Sequence, residues 1–383
     1  MFNRFKLGRT LDEVHAYGGD LWLSELALAV CAQEGIDERF NHLDTTSFSL
    51  TGDDVPDSDE HAMAITPGYS KDHRPDVKQA VLELMVSQDG GVPWMSKSWE
   101  GNASDTQIFQ ERAQALLATF RESPHPRYLV ADAKLYTEDH APNLAKLGLI
   151  TRIPGTLKRV TQVITHALQW DTWQYLPART RYQGIELCHY RLAQRWLVVC
   201  SPAALERAEA SVNNACQREA EAIKQHLFHL QAKRFATPTQ AQAALSGLAR
   251  KWRDHQVESY ALLDHKRDGK KGRPTAATPI HAIAWQMQAQ VRLEAKRIED
   301  AKQHTACFVL GTNIETEQLS DAEVIAGYKA QSQAEGGFRF LKDPLFLVSS
   351  LFVKKPRRIQ GLLMVMTLAL LVYAVAQRRL RRE

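Results

Sequence analysis

The chain has 383 residues, 44% of them hydrophobic and 24% charged, which is the composition of an ordinary globular protein and long enough for one large core or two smaller ones. Its net charge of +4 is too small to identify a nucleic-acid-binding protein. The cysteines lack CxxC and zinc-site spacing, which argues against a zinc site and predicts reduced thiols in a cytoplasmic protein. They are Cys31, Cys188, Cys200, Cys216 and Cys307.

The first half of the chain predicts an α/β domain. Two helices are expected in the first 40 residues, and alternating polar and apolar side chains predict a strand at His42–Leu50. Residues 77–94 predict two strands joined by a Gly-Gly turn, with a helix as the alternative for their first half, and a helix is expected within 104–120. A short apolar strand, YLVA, then ends at Asp132. Strands and helices in this order are typical of a sheet covered by helices.

The second half changes character and then returns to the earlier style. Residues 162–305 look mainly helical, a strand is expected at Ala306–Asn313, and Ser320 with Glu323 forms a capping-box pattern. We therefore predict an insertion into the α/β domain. The predicted regions are a partial N-terminal helical region (1–40), the first part of the core (41–161), the insertion (162–305) and the second part of the core with a C-terminal apolar helix (306–383).

An uncharged segment lies near the C-terminus. Gly361–Ala376 contains 16 residues without a charge, and the apolar stretch reaches 19 residues when extended to 359–377. A membrane-spanning helix needs about 20 apolar residues. The segment therefore predicts either a helix buried against the sheet or a membrane anchor.

Four polar residues near the C-terminal end recur at helical spacing. Tyr328, Gln331, Glu335 and Lys342 are offset by 3, 7 and 14 residues, and at about 100° per residue they would share one stripe of a helix. Because core stripes are apolar, this stripe is either a solvated face or a face that binds a partner.

Two further acids stand out in the predicted strands. Asp44 lies inside the first strand, where Asp is disfavoured, and Asp132 ends a strand at the edge where open α/β sheets place ligand groups. Together with Glu335 they would form the oxygen-rich site that Mg²⁺ prefers. Two such ions can activate a nucleophile and stabilise the leaving oxygen of a phosphodiester.

These residues resemble a known family. The spacing Tyr-x2-Arg-x3-Glu-x6-Lys is the signature of bacterial insertion-sequence transposases of the DDE type, and residues 328–342 are similar to it with Gln331 in place of the Arg. The resemblance covers roughly residues 30–350. The other similar stretches are LDTTSFSLTG, YSKDHRPDVKQ, SWEGNASD, VADAKLY and LKDPLF.

The resemblance implies an RNase H-like mixed sheet flanked by helices and interrupted by the insertion. It implies Mg²⁺-dependent cleavage of DNA at transposon ends, followed by strand transfer into target DNA. Asp44, Asp132 and Glu335 would hold two Mg²⁺ ions, with Mn²⁺ able to substitute. Tyr328 and Lys342 would contact the double-stranded end DNA together with Gln331. Independently of the resemblance, Arg339 falls on the same stripe at offset 11 and would compensate for the charge absent at Gln331 if the helix continues through Gly336-Gly337.

The resemblance also implies a homodimer on DNA, located in the cytoplasm with the nucleoid and without stable membrane association. Two alternatives stay open at this point. One is a truncated, catalytically inactive remnant that still binds DNA, because members of the family usually extend further at both ends than this sequence does. The other alternative is a protein anchored in a membrane through residues 359–377.

Overall fold

The computed structural model divides the chain into two compact units. The core unit comprises Met1–Val160, Gln183–Val198 and Val309–Glu383, and the insertion unit comprises Thr161–Tyr182 and Val199–Phe308. The structure describes residues 3–50, 62–68, 76–104, 107–109, 111–112, 116, 126–139, 141, 145–170, 172–268, 280–343 and 355–382. Much of the helix predicted within 104–120 therefore lies outside the described residues.

The central sheet of the core unit is mixed. Strands β4, β3 and β1 form an antiparallel meander, β5 and β6 continue it in parallel with β1, and β12 then runs antiparallel to β6. The described strands of the chain, of which β10 and β11 form a separate two-stranded sheet, are β1 (Phe40–Ser49), β2 (Thr66–Pro67), β3 (Lys78–Ser87), β4 (Pro93–Glu100), β5 (Tyr128–Ala131), β6 (Gly148–Arg152), β7 (Gln174–Leu176), β8 (Thr180–His189), β9 (Leu192–Cys200), β10 (His255–Asp268), β11 (Ile280–Leu293) and β12 (Cys307–Thr312). This sheet, flanked by helices, confirms the predicted fold class.

The helices begin and end at the expected signals. The second helix ends at Gly35, whose φ of 57° is left-handed, and Ser320 forms the predicted capping box with Glu323. The helices are α1 (Arg4–Tyr17), α2 (Gly19–Glu34), α3 (Lys158–Trp170), α4 (Pro202–Ala232), α5 (Pro238–Ala249), α6 (Ala295–Ala306), α7 (Asp321–Lys329), α8 (Ser332–Leu341) and α9 (Pro356–Arg382).

Helix α9 contains the apolar segment and is a core helix of this unit. Its side chains enter two hydrophobic clusters, Leu371 and Ala374 in one and Leu363 and Leu370 in the other. By length and composition it could also cross a membrane, but half of its most apolar window is buried inside the protein. The structure therefore agrees with the buried-helix interpretation of residues 359–377.

The first two helices belong to the core unit. Helix α2 buries Leu23, Ala27 and Cys31, and Asp12 of α1 pairs with Arg357 and Arg358 of α9 at 2.9 and 2.8 Å. Both helices thus pack within the core unit. Their apolar faces need the sheet and α9 to be covered.

The insertion unit contains strands that the sequence analysis did not predict. Helices α4, α5 and α6 fit the predicted helical character, but β10 and β11 pair along their length as a long antiparallel hairpin. The segment Gln183–Val198, predicted as part of the insertion, belongs to the core unit. It provides most of β8 and β9.

The prediction of five reduced cysteines was wrong for two of them. Cys200 and Cys307 form a disulfide bond with their Cα atoms 4.5 Å apart. Cys200 ends β9 and Cys307 begins β12, and these strands are neighbours in the sheet. Since the two residues are 107 positions apart in sequence, their pairing depends on the sheet order and leaves no spacing signal.

Candidate active site

Asp44 and Asp132 lie at neighbouring positions on parallel strands. Leu43 of β1 is paired with Ala131, the last residue of β5, and the two acids are the next residues along the chain. Adjacent strands are about 4.8 Å apart, and residues in register point to the same face. Both side chains are half-buried. The sheet therefore presents two carboxylates side by side at the carboxyl end of β5.

Local hydrogen bonds orient both carboxylates. One oxygen of Asp44 accepts from the backbone N–H of Thr45, and one of Asp132 accepts from that of Ala133, each at 2.7 Å. The hydroxyl of Thr151 on β6 donates to the backbone carbonyl of Asp132 at 3.1 Å. The chain thus fixes the first acid within a strand and the second at a strand end.

The same register adds Arg152, which the sequence analysis missed. Ala131 of β5 is paired with Thr151 of β6, so Arg152 lies beside Asp132 just as Asp132 lies beside Asp44. The three residues form a row across three parallel strands, with Asp44 inside β1 and Asp132 and Arg152 at the carboxyl ends of β5 and β6, and open α/β sheets bind ligands at such ends. The sequence does carry a signal for Arg152, because it is a charged residue at the end of a buried apolar strand, as Asp132 is.

Helix α8 covers the same face of the sheet and carries Glu335. Ala334, Phe338 and Leu341 pack into the cluster that contains Leu84, the residue paired with Asp44 across β1 and β3. Glu335 itself is exposed. Cross-strand partners share a face, so the helix brings the third acid to the side of the sheet on which Asp44 lies.

A glycine allows this close packing. A Cβ atom at Gly337 would lie 3.2 Å from a methyl carbon of Leu370 and 3.3 Å from one of Leu84, whereas a Cβ atom at Gly336 would meet nothing within 4 Å. Gly337 is buried and Gly336 is exposed. The two glycines lie inside α8, and the first of them leaves the helix surface open while the second permits contact with the sheet.

The Tyr328 hydroxyl is linked electrostatically to the acids. Burial raises the pKa of Tyr328, the Asp132 and Glu335 carboxylates raise it further, and the positive charge of Arg152 opposes them. The Arg152 side chain also hydrogen-bonds to Tyr328. These four residues therefore converge on one region at the carboxyl edge of the sheet.

The predicted single stripe is divided between two helices. Tyr328 lies in α7, which ends at Lys329, and Glu335 lies in α8, which starts at Ser332. Between them the N–H of Gln331 donates to the carbonyl of Tyr328, three residues back, at 3.0 Å. This tight turn interrupts the α-helix, so the angular offsets calculated for a continuous helix do not hold across it.

Two basic residues of the predicted stripe, Arg339 and the signature residue Lys342, lie at the far end of α8. Arg339, one turn after Glu335, is exposed, and Lys342 immediately follows the helix with its Nζ 5.6 Å from the centre of the Phe48 ring. Gln331 is half-buried in the turn between the helices. Glu335, Arg339 and Lys342 thus follow one another at i, i+4 and i+7, which places them along one side.

The acids have the donor chemistry of a magnesium site. Carboxylate oxygens are the ligands that Mg²⁺ prefers, and the aspartates adjoin in register. Within the described part of the chain, however, no three His, Cys, Asp or Glu side chains are close enough together to hold a metal ion. The carboxylate donors are of the right type for Mg²⁺, and Glu335 is exposed on the helix that packs on the same face of the sheet.

Comparison with known proteins gives one family match. A family profile described as "Transposase DDE domain" matches residues 39–372. No curated protein matches the chain. Among solved structures, a piggyBac transposase synaptic complex with hairpin DNA is similar at 8% sequence identity and a TM-score of 0.38, covering 89% of this chain. This chain spans 47% of that one.

Proposed function

The chain belongs to the family of transposases with a DDE domain, and from this premise we propose that it cleaves DNA strands at the ends of a mobile element and joins them to target DNA. The observation that supports this proposal most directly is the row of Asp44, Asp132 and Arg152 on three parallel strands, with Glu335 above it. Two carboxylates can bind divalent metal ions, and a guanidinium beside them can bind the phosphate group of a phosphodiester.

In this proposal Asp44, Asp132 and Glu335 hold the divalent cations, Mg²⁺ or Mn²⁺. When bound, two such ions activate the attacking oxygen and stabilise the leaving oxygen of a phosphodiester. The hydrogen bonds to Thr45 and Ala133 fix the orientation of both aspartates before the substrate arrives. Glu335 would complete the set, since its helix packs on the face of the sheet that carries Asp44.

The neighbouring donors hold the strand being cut. Arg152 and Tyr328 are hydrogen-bonded to each other beside Asp132, and a guanidinium and a phenol can together contact a phosphate group. Arg339 and Lys342 supply further positive charge along α8, and Gln331 contributes a neutral donor. Arg152 thereby offers the charge that is missing at Gln331.

The proposed partner is double-stranded DNA, both at the element ends and at the target. Recombination joins two ends, so we expect two copies of the chain to assemble on DNA as a homodimer. Mass photometry with and without end DNA tests this directly. A single copy on each DNA molecule under cleavage conditions would contradict it.

The function is tested by incubating the full chain with fragments of the DNA that flanks its reading frame. We expect cleavage at discrete positions in Mg²⁺ or Mn²⁺ and none in EDTA. Asp132→Asn should bind the same fragments with unchanged affinity and leave them intact. Cleavage without a divalent cation, or an Asp132→Asn protein as active as the native chain, would contradict the proposal.

One observation favours a second candidate, an inactive family member that only binds DNA. Gln331 stands where the family signature has Arg, and the described residues include no ready-made cluster of three acids. This candidate predicts specific binding to the flanking DNA and no cleavage by the native chain in either cation. The same experiment therefore separates the two.

A further inference from the structure

The arginines at the end of helix α9 have different environments. Arg378 and Arg382 both pair with Asp89, at 2.5 and 3.3 Å, and Arg379 pairs with Glu34. Arg381 lies between them in sequence and is exposed. Within the part of the chain that the structure describes, its side chain makes no ion pair and no hydrogen bond. Three of these cations are thus used within the fold and one is not.

Arg381 lines a groove between α8 and α9. The groove has a volume of about 430 Å³, and Arg339 of α8 contributes a second guanidinium to it. Arg339 also has no ion-pair partner among the described residues. Ser332 and Gln377 add a hydroxyl and an amide, and the acid Asp343 lies at the same groove. Two cations without acidic partners therefore share one concave surface.

The floor of the groove is apolar and closely packed. The rings of Phe340 and Tyr373 stack with their centres 4.4 Å apart and their planes 20° from parallel. Exposed Gly336 leaves the α8 side open. An isolated arginine on a surface is usually solvated, but a groove with donors on both walls offers several hydrogen bonds to one anion.

The position of the groove connects it to the candidate active site. Ser332, Gly336 and Arg339 line the groove, and Glu335 lies on the same helix, one residue before Gly336 and one turn before Arg339. The groove therefore begins next to the third acid and runs along α9 to the turn between β3 and β4, at Gly90 and Gly91.

We propose that this groove binds the phosphodiester backbone of the DNA strand as it leaves the cleavage site, with Arg381 and Arg339 contacting phosphate oxygens. The inference rests on the proposed function and adds a contact site on α9, outside the family signature. Contacts of this kind position the duplex without reading its sequence. Charge complementarity favours DNA, since Asp343 is the single acid among the groove residues.

The test measures DNA affinity of the full chain carrying Asp132→Asn, so that cleavage does not interfere. Fluorescence anisotropy with a short duplex, over about 50 to 200 mM salt, gives the dependence of affinity on salt concentration. Adding Arg381→Ala should weaken binding about 3- to 10-fold and reduce the log–log slope by about 0.9, the value for one phosphate contact. Arg381→Lys should retain most of the slope.

Arg382→Ala is the matched control. It removes the same charge from the same helix turn, but from a residue that already pairs with Asp89. We expect a clearly smaller change in slope, and both proteins should melt at the temperature of their parent. Equal slopes for Arg381→Ala and Arg382→Ala would overturn the groove proposal. If the Asp132→Asn parent shows no salt-dependent DNA binding at all, the proposed function itself fails.

Discussion

At the scale of single residues, His42 is a buried polar side chain close to the site. It is fully buried on β1, two residues before Asp44, and neither ring nitrogen has a hydrogen-bond partner among the described residues. Burial lowers the pKa of His42 from 6.5 to about 4. The folded state therefore keeps this imidazole neutral at pH values where the unfolded chain protonates it.

This predicts a stability loss on acidification that belongs to His42. Because the unfolded state binds the extra proton, the free energy of unfolding falls as the pH drops below 6.5, and the loss is complete below about 4. Between pH 7 and pH 5 the native chain should lose about 2 kcal/mol more than His42→Leu. Urea unfolding at both pH values measures this, and parallel losses in the two proteins would contradict it.

Arg152 should be required for cleavage more than for folding. It is exposed, so Arg152→Gln should leave the melting temperature unchanged, while the loss of a charged hydrogen bond to the reacting phosphate should slow cleavage about 10- to 100-fold. Adding Gln331→Arg should restore part of the rate, because a positive charge returns beside the same site. Cleavage by Arg152→Gln at the native rate would exclude this role.

At the scale of elements, the two glycines of α8 have opposite requirements. Gly336→Ala meets empty space and should stabilise the protein by about 0.5–1 kcal/mol, the helix-propensity gain over Gly. Gly337→Ala gains the same propensity but presses on Leu84 and Leu370, and overpacking costs about 1–3 kcal/mol. Urea unfolding should therefore rank Gly336→Ala above Gly337→Ala. The reverse order would mean that α8 is not packed closely on β3.

Helix α9 is fixed at its C-terminal end by a buried arginine. Arg378 is 4% exposed, bonds to both carboxylate oxygens of Asp89 and donates to the backbone carbonyls of Glu34 and Gly35 at 3.1 and 3.0 Å. It thus joins α9 to the end of α2 and to the β3–β4 turn. Such a network is costly to break from one side.

Removing Arg378 should therefore destabilise the protein strongly. Arg378→Ala leaves a partly buried carboxylate without its main partner, which costs about 3–5 kcal/mol. Arg382, whose side chain is 57% exposed, reaches the same Asp89, and Arg382→Ala should cost less than about 1 kcal/mol. Urea unfolding measures both. Equal effects would show that the end of α9 is not held in the core.

At the scale of the whole molecule, the sequence predicted the elements whose patterns are local. The strands β1 and β5 and the cap at Ser320 have strong short-range signals, whereas the segment that forms β3 also suited a helix. The hairpin of β10 and β11 has no clear short-range strand signal, because its Gln- and Ala-containing strands carry residues that also suit helices. Pairing along both strands outweighed that propensity.

The candidate site was predictable in part for the same reason. Asp44, Asp132 and Glu335 stand out from the sequence because acids at such positions need an explanation, but their spatial relation depends on strand register. Arg152 joins the site only because β6 lies parallel to β5, and the pair of Cys200 and Cys307 exists only because β9 and β12 are neighbours. Sequence spacing cannot report either relation.

Replacing one ligand atom tests most directly whether the acids of the row contact divalent cations during DNA cleavage. In Asp132→Cys a sulfur replaces the carboxylate oxygens, and Mn²⁺ accepts sulfur more readily than Mg²⁺. The control is Asp139→Cys, which changes an exposed acid seven residues further along the same chain segment.

Cleavage of the flanking DNA is then measured for the native chain and both variants in each cation. The native chain and Asp139→Cys should cleave in both cations, whereas Asp132→Cys should be inactive in Mg²⁺ and recover by about 10-fold or more in Mn²⁺. Asp132→Cys that cleaves equally well in the two cations would contradict the claim that this acid holds a metal ion.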